Sequence, residues 1–334
     1  MSNKTIRDKD YLYLSALISA REVNMLNREK TERMLSAGSF GDAVKVLIEC
    51  GYEDMSGMSA SQVEDALARR RAAVFDDISR SIPETALTDA FRLKYDYHNA
   101  KVLIKAQGVG TDGGYLISAS GRVNPDTMKN ALLTEDYRFL PVDLAHAIAE
   151  AAGILARTSN PQLADFALDK AYLAEFKKLA GSVNCSLLKD YAVFLTDSAN
   201  LRAGVRTLRI GQSPEFLKQA LINGGTVSIE RIIAAASSAD SLTALFNSPP
   251  LDRAAALGAA AAGGGSLTDF ELACDNAAVV FLSRAKLKGF GAEKVIVYFA
   301  AVENEVMTAR MILTGRLSGI KPEVIRERLR DSYA

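Results

Sequence analysis

A short polar pattern that occurs three times constrains the fold of this chain more than any other feature of its sequence. In each copy an acid is followed three positions later by asparagine or threonine, and five positions later by a base. The copies are, in chain order, Asp96, Asn99 and Lys101; Asp197, Asn200 and Arg202; and Glu305, Thr308 and Arg310. Because the acids stand 101 and 108 residues apart, the sequence predicts three related units in tandem.

Apolar residues accompany each copy at the same offsets, which places the pattern on helices. The positions three before, four after and eight after the acid are apolar throughout: Leu93, Ala100 and Ile104; Phe194, Leu201 and Val205; Val302, Ala309 and Leu313. Spacings of seven and four return to one face of an α-helix. Helical periodicity runs through most of the chain and convincing strand patterns are almost absent, so we predict an all-α fold.

We call the helix that carries each copy of the pattern an acid helix. Each third of the chain also holds a second related helix, which comes before its acid helix. These segments are residues 63–75, 164–176 and 268–281. We therefore divide the chain into three helical units: 1–120, 121–225 and 226–334. Helix starts are expected at Asn124-Pro125 and Ser213-Pro214, where a capping residue precedes proline at the first helical position.

The spacing of acid and base limits what the repeated pattern can do. Five positions apart, the two side chains point about 140° apart around their helix at 100° per residue. Ion pairs within a helix require partners three or four positions apart. We therefore expect each acid and each base to contact a neighbouring helix or a helix cap, which indicates an architectural role.

Composition excludes several classes of function. With 40 basic and 40 acidic residues, the chain has no net charge to attract it to phosphate backbones, so nucleic acid is not expected as a partner. The three cysteines have neither zinc-ligand nor disulfide spacing, which favours a reducing compartment. We expect no signal peptide at the charged N-terminus, and the longest uncharged run, Ala254 to Thr268, is too short to span a membrane.

Two features suggest catalysis at first sight. His98 stands two positions from Asp96, as a general base oriented by an acid would, and "GVGTDG" at 108–113 matches a dinucleotide loop. However, His98 aligns with Ala199 and Met307 in the other copies, and the glycine loop follows a helix where a dinucleotide loop follows a strand. We expect a structural histidine and a glycine helix cap, and likewise no role in metal binding for His146. No catalytic residue, cofactor or metal site is predicted.

In each copy, basic residues lie beside and after the helix face formed by the shared apolar positions, which we call the apolar seam. They are Lys101 and Lys105; Arg202, Arg206 and Arg209; and Arg310 and Arg316. One interpretation is that they complement the negative ends of their helices. The other is that they form a partner-binding surface.

Four stretches resemble a known family. They are "YLYLSALISAREVNML", "YDYHNAKVLIKA", "LTDSANLRAGVRTLRIG" and "ENEVMTARMILTGRLSGIKPEVIRERLRDSYA", and they are similar to the C subunit of the A/V-type ATPases (ATP synthases), the counterpart of the d subunit in eukaryotic V-type ATPases. The resemblance extends over essentially the whole chain. The family pattern usually has asparagine, leucine and arginine in the third copy, whereas this chain has Thr308, Ala309 and Arg310.

The resemblance implies a non-catalytic subunit of the central stalk. Members are funnel-shaped, pseudo-threefold helical proteins at the cytoplasmic face of the membrane. They sit on the proteolipid rotor ring and hold the foot of the shaft, the D and F subunits, so that torque drives ion transport. On this basis Arg206, Arg209 and Arg316 are expected to line a shaft or ring contact, and no small-molecule substrate is expected.

Two alternatives remain from the sequence. An α-helical solenoid scaffold would bind protein partners, but its repeat would have a period of about 34 to 47 residues. A small enzyme would use His98 and the "GVGTDG" loop.

Overall fold

The computed structural model describes residues 6–111 and 113–333, without the side chain of Tyr115. Every regular element in these residues is a helix, which confirms the predicted all-α class. The chain divides into two compact units: the first comprises residues 1–85 and 275–334, and the second comprises residues 86–274. The threefold division at 120/121 and 225/226, and the funnel, stay predictions.

The first unit brings together both ends of the chain. Its helices, after a 3-10 turn at Asp8–Tyr11, are α1 Leu12–Glu22, α2 Arg28–Ser36, α3 Phe40–Glu49, α4 Ala60–Ser79, α15 Ala292–Leu317 and α16 Pro322–Arg326. The long helix α15 forms the core, because it packs against α1, α2, α3, α4 and α16. The rings of Phe75 on α4 and Phe299 on α15 meet edge to face, with centroids 4.8 Å apart.

The second unit contains two of the predicted acid helices. Its elements are α5 Thr85–Val109, a 3-10 turn at Gly114–Leu116, α6 Pro125–Thr134, α7 Val142–Thr158, α8 Pro161–Ser182, α9 Ser186–Arg209, α10 Pro214–Ala220, α11 Ile229–Ala235, α12 Ala239–Ala244, α13 Asp252–Ala262 and α14 Leu267–Ser283. Helix α14 continues into the first unit beyond Cys274. In the core, α8 packs on α7 and α9, and α9 packs on α12 and α13.

The predicted helix starts are confirmed. Asn124 accepts a hydrogen bond from the main-chain N–H of Asp126, and Ser213 accepts one from that of Phe216, in each case ahead of a proline. These side chains satisfy donors that a helix start would otherwise leave open.

The three acid helices end in the same way. Gly110, Gly211 and Gly319, each fourteen positions after its acid, have φ angles of +70°, +65° and +69°. The residue after each glycine donates its N–H to a carbonyl five positions earlier, at 2.9, 3.1 and 2.9 Å. This left-handed termination suits glycine, which has no Cβ to clash.

The apolar seam predicted for each acid helix is buried. Its nine residues, three on each helix, are at most 5% exposed: Leu93, Ala100, Ile104, Phe194, Leu201, Val205, Val302, Ala309 and Leu313. The repeated pattern therefore marks three core helices, α5, α9 and α15. Among the described residues, no helix is long and apolar enough to cross a membrane.

Candidate functional site

Each acid helix meets a loop that follows it in the repeat, and we call each such meeting point a station. The first station is built on Asp96 of α5, the second on Asp197 of α9 and the third on Glu305 of α15. All three acids are buried.

At the first station, Asp96 holds the loop that leads into α6. Its Oδ1 accepts the main-chain N–H groups of Arg122 and Val123 at 2.8 and 3.1 Å. Its Oδ2 accepts Nε of Arg122 at 2.7 Å. Burial raises the pKa of Asp96 and outweighs the opposing effect of the Arg122 guanidinium and the main-chain donors.

At the second station, Asp197 binds the equivalent loop with a hydroxyl in place of the guanidinium. Its Oδ1 and Oδ2 lie 2.9 and 3.1 Å from the main-chain N–H of Thr226. The hydroxyl of Thr226 donates to Oδ2 at 2.6 Å. The loop then enters α11 at Ser228, which caps that helix as Asn124 caps α6.

At the third station, Glu305 binds a loop from the other end of the chain. Its Oε2 accepts the main-chain N–H of Leu26 at 2.6 Å, and its Oε1 accepts the hydroxyl of Tyr52 at 2.7 Å. Leu26 precedes Asn27, which caps α2. The N-terminal segment therefore supplies the loop that the third repeat needs, and α2 corresponds to α6 and α11.

The asparagines of the first two stations hold their loops by the same pair of hydrogen bonds. Asn99 donates to the carbonyl of Ser118 and accepts from its N–H, both at 2.8 Å. Asn200 makes the same two contacts with Ile222, at 2.9 and 2.8 Å. Thr308 occupies this position in the third station, where Asn304, four positions earlier, donates to the carbonyl of Asp331 instead.

Each base of the repeat pairs with an acid on a different helix, as the spacing predicted. Lys101 reaches Asp169 of α8 at 2.5 Å, and Arg202 reaches Glu271 of α14 at 3.1 Å. In the first unit, Nε of Arg310 lies 2.6 Å from Oε2 of Glu64 on α4, although its N–H does not point at that oxygen. The acids and bases of the pattern thus connect helices and loops to one another.

Two of the three arginines proposed as partner contacts donate to main-chain carbonyls. Arg209 donates to the carbonyls of Ala261 and Gly265, both at 2.6 Å, at the end of α13. Arg316 donates to the carbonyls of Met34, Leu35 and Ala37, where α2 ends. These bonds satisfy carbonyls that a helix end leaves open.

Arg206 differs from the other two arginines. It shares Glu271 with Arg202, and its side chain is 59% exposed. A partner-binding role for Arg206, Arg209 and Arg316 stays a prediction, and Arg206 is the most exposed of the three.

The histidines and the glycine loop have the following surroundings. Nε2 of His98 lies 2.9 Å from the carbonyl oxygen of Leu116, and His146 is exposed on α7. The "GVGTDG" loop contains the glycine that ends α5, as predicted, while Asp112 lies outside the described residues. Within the described part of the chain, no group of histidine, cysteine, aspartate and glutamate has the geometry to hold a metal ion.

Sequence reasoning missed the glycines that let each loop approach its acid. A Cβ on Gly121 would lie 2.3 Å from Oδ1 of Asp96, and one on Gly225 would lie 2.1 Å from Oδ1 of Asp197. The available signal was the shared order of glycine, any residue, valine and a capping residue at 121–124 and 225–228. At the third station Asn24 takes the glycine position, opposite the longer side chain of Glu305.

Sequence reasoning also missed a buried charge network beside the first station. Nη1 of Arg122 donates to Oε1 of Glu175 on α8 at 2.8 Å, while its Nε holds Asp96. The hydroxyl of Tyr97 donates to the other oxygen of Glu175 at 2.9 Å. Burial of Tyr97 and the nearby Glu175 carboxylate raise the pKa of the tyrosine well above its usual value.

Comparison with known proteins gives matches over nearly all of this architecture. The model of the family described as ATP synthase (C/AC39) subunit matches residues 14–328. The C subunit of a V-type sodium ATPase from Enterococcus hirae is 22% identical over an alignment of 340 positions, which covers 97% of this chain and 99% of that protein. The C subunit of an A-type ATP synthase from Methanocaldococcus jannaschii is 25% identical over an alignment of 344 positions, which covers 96% of this chain and 86% of that protein.

A shorter match points the same way. The C subunit of a V-type ATP synthase from Thermus thermophilus is 26% identical over 219 residues, 63% of this chain and 67% of that protein. Since the family model covers almost the full length, from α1 to beyond α16, this chain belongs to the ATP synthase (C/AC39) subunit family.

Proposed function

We propose that this chain is a non-catalytic central-stalk subunit of a rotary A/V-type ATPase. Its partners are the D and F subunits of the shaft and the proteolipids of the membrane rotor ring. It lies peripherally at the cytoplasmic face and transmits torque between shaft and ring for ion transport. The observation that carries the proposal is the family match over residues 14–328, joined by two relatives named as C subunits that align along 99% and 86% of their own lengths.

The stations support a mechanical role. A subunit that transmits torque must resist deformation, and each acid helix is fixed to its loop by two or more hydrogen bonds to a buried carboxylate. A buried carboxylate whose oxygens all accept hydrogen bonds makes a structure more rigid, because moving its donors away would leave a buried group unpaired, at a cost in free energy. Their oxygens are already occupied by donors from the protein, so the stations hold the fold together.

The threefold arrangement belongs to the same proposal. The three units 1–120, 121–225 and 226–334 would form a pseudo-threefold funnel that receives the shaft. The acid stations recur at intervals of 101 and 108 residues, far from the period of about 34 to 47 residues expected of an α-solenoid.

Purification from native membranes tests the assignment. We expect a tagged full-length chain, extracted in mild detergent, to bring down the proteolipid ring, the shaft subunits and the catalytic subunits. Recovery of the chain without any other ATPase component would contradict the proposal.

A charge reversal tests the partner surface. Arg206→Glu should reduce recovery of the shaft or ring proteins several-fold without lowering the melting temperature, because this arginine is exposed and helps to hold only one carboxylate. The matched control is Arg138→Glu, since Arg138 is also exposed and pairs with a single acid, Asp136. Equal recovery of the two variants would exclude Arg206 from the contact.

A further inference from the structure

The first and third stations differ in the side chains that lie between acid and neighbouring helix. The loops of the two stations can be aligned on their helix caps, because Asn124 and Asn27 each cap the helix that follows. Two positions before the cap, the first station has Arg122 and the third has Met25. The base partners align the neighbouring helices. Asp169 of α8 pairs with Lys101, and Glu64 of α4 pairs with Arg310. Six positions after these acids, α8 has Glu175 and α4 has Arg70.

With Met25 and Arg70 in these positions, the third station lacks the ion pairs that Arg122 makes at the first station, and it contains a cavity. At the first station the guanidinium of Arg122 lies between two carboxylates, at 2.7 Å from Asp96 and 2.8 Å from Glu175. At the third station a cavity of about 480 Å³ is lined by Met25, Arg70 and Glu305. Arg21, Tyr52 and Tyr298 also line it, and it reaches the exposed residues Ile48 and Gly51.

Arg70 faces this cavity without an acidic partner. Among the described residues it makes no hydrogen bond or ion pair, and its guanidinium carbon lies 5.4 Å from the centre of the Tyr52 ring. Its Nη2 lies close to the main chain at Gly51, where a Cβ would come within 3.5 Å of it. The guanidinium therefore lies near both the Tyr52 ring and Gly51 at the cavity wall, with hydrogen-bonding capacity to spare.

The other charged groups around the cavity largely pair with one another. Arg21 pairs with Asp77, and Glu49 pairs with Arg33 at 2.6 Å. Lys30 donates to the main-chain carbonyls of Asn24 and Met25. Burial raises the pKa of Glu305, which favours its uncharged form, despite the opposing donors Leu26 and Tyr52 and the nearby charges of Arg70 and Lys30. Among the described charged residues that line the cavity, Arg70 is therefore the cation that no carboxylate pairs with.

We propose that the cavity at the third station binds a compact oxyanion, a phosphate or a small carboxylate, held by Arg70. The planar guanidinium of arginine matches the paired oxygens of both groups. Bound there, the anion lies against the guanidinium of Arg70, whereas at the first station the guanidinium of Arg122 lies between two carboxylates of the chain itself. The ligand is a structural anion and not a substrate, and the inference does not depend on the proposed ATPase role.

Calorimetry on the purified full-length chain tests the site, with sodium phosphate and sodium succinate each titrated against sodium chloride at equal ionic strength. We expect saturable binding of at least one of the two anions and a rise in melting temperature with its concentration. Arg70→Gln should weaken that binding at least tenfold. Arg69→Gln is the matched control, because the neighbouring Arg69 is exposed and pairs with Glu53; it should bind as the unmodified chain does.

A second variant guards against simple misfolding. Met25→Arg combined with Arg70→Glu restores the residue types of the first station, so it should stay folded and bind neither anion. Binding of neither anion by the unmodified chain would overturn the proposal. So would binding that Arg70→Gln leaves unchanged, or binding that the folded double variant retains.

Discussion

Glycine decides whether a loop can reach its acid at the first two stations. At both Gly121 and Gly225 the space for a Cβ is already occupied by a buried carboxylate oxygen. That carboxylate cannot retreat, because main-chain N–H groups of the next two residues depend on it. A change of one methyl group there must displace either the loop or the acid.

We predict that Gly225→Ala lowers the free energy of unfolding by about 2 to 4 kcal/mol, through overpacking and disrupted hydrogen bonds to Asp197. Urea denaturation followed by circular dichroism measures the change. Gly181→Ala is the control, because a Cβ on that residue of α8 meets nothing within 4 Å; alanine there should be neutral or slightly stabilising. Equal effects of the two variants would refute the steric argument.

The buried Glu305 links stability to pH. Its folded-state pKa is raised above the usual 4.5, so above pH 4.5 the folded state holds this proton more tightly than the unfolded state does. The contribution of Glu305 to stability is therefore greatest below pH 4.5 and is lost as pH rises through the raised pKa.

Glu305→Gln removes this titration while keeping an acceptor oxygen for the N–H of Leu26 and an amide N–H that can donate to the hydroxyl oxygen of Tyr52. We predict that the free energy of unfolding of the unmodified chain, minus that of the variant, falls as pH rises above about 4.5 and through the raised pKa. Denaturation curves at several pH values measure this difference. A difference that stays constant, or that grows with pH, would show that Glu305 does not hold its proton in the fold.

At the ends of two helices, α2 and α13, main-chain carbonyls accept hydrogen bonds from an arginine of another helix. Arg316 of α15 donates to three carbonyls at the end of α2, and Arg209 of α9 donates to two at the end of α13. Each arginine thus fixes the end of another helix to an acid helix within its own unit.

We predict that Arg316→Ala costs about 1.5 to 3 kcal/mol, because hydrogen bonds from a charged donor to several carbonyls are lost together. Thermal and urea unfolding measure the loss. Arg326→Ala, in the same unit, removes only an exposed ion pair with Glu32 and should cost less than about 1 kcal/mol. If Arg316→Ala proves as mild as Arg326→Ala, Arg316 does not stabilise the end of α2.

The helices and their buried seam could be predicted because their signals are local. Residues at offsets of minus three, four and eight from Asp96 and its counterparts lie within a few turns of one helix, and a cap such as Asn124 acts on the next two residues. The need for partners outside each helix also followed from the five-residue spacing.

The identity of those partners could not be predicted, because it depends on which distant segments meet. Asn99 binds Ser118 nineteen residues away, whereas Glu305 binds Leu26 at the opposite end of the chain. The carbonyl acceptors of Arg316 belong to a helix 279 to 282 positions earlier. A basic side chain alone does not reveal whether it serves a carbonyl of its own fold or a partner.

At the scale of the whole molecule, the segment before α2 supplies the loop of the third repeat. Both ends lie in one compact unit, and the loop that Glu305 holds leads into α2 near the N-terminus. The segment before α2 therefore supplies the third station with the loop that a later segment supplies at the other two stations. This organisation supports the proposed role of a rigid part between a rotating shaft and a ring.

The most direct test of that role compares ATP hydrolysis with ATP-driven ion uptake in membrane vesicles depleted of this chain. The account predicts that hydrolysis continues without the chain while uptake is lost, and that adding back the purified chain restores uptake. Uptake that proceeds equally well without the chain would contradict the proposal that it transmits torque from shaft to ring.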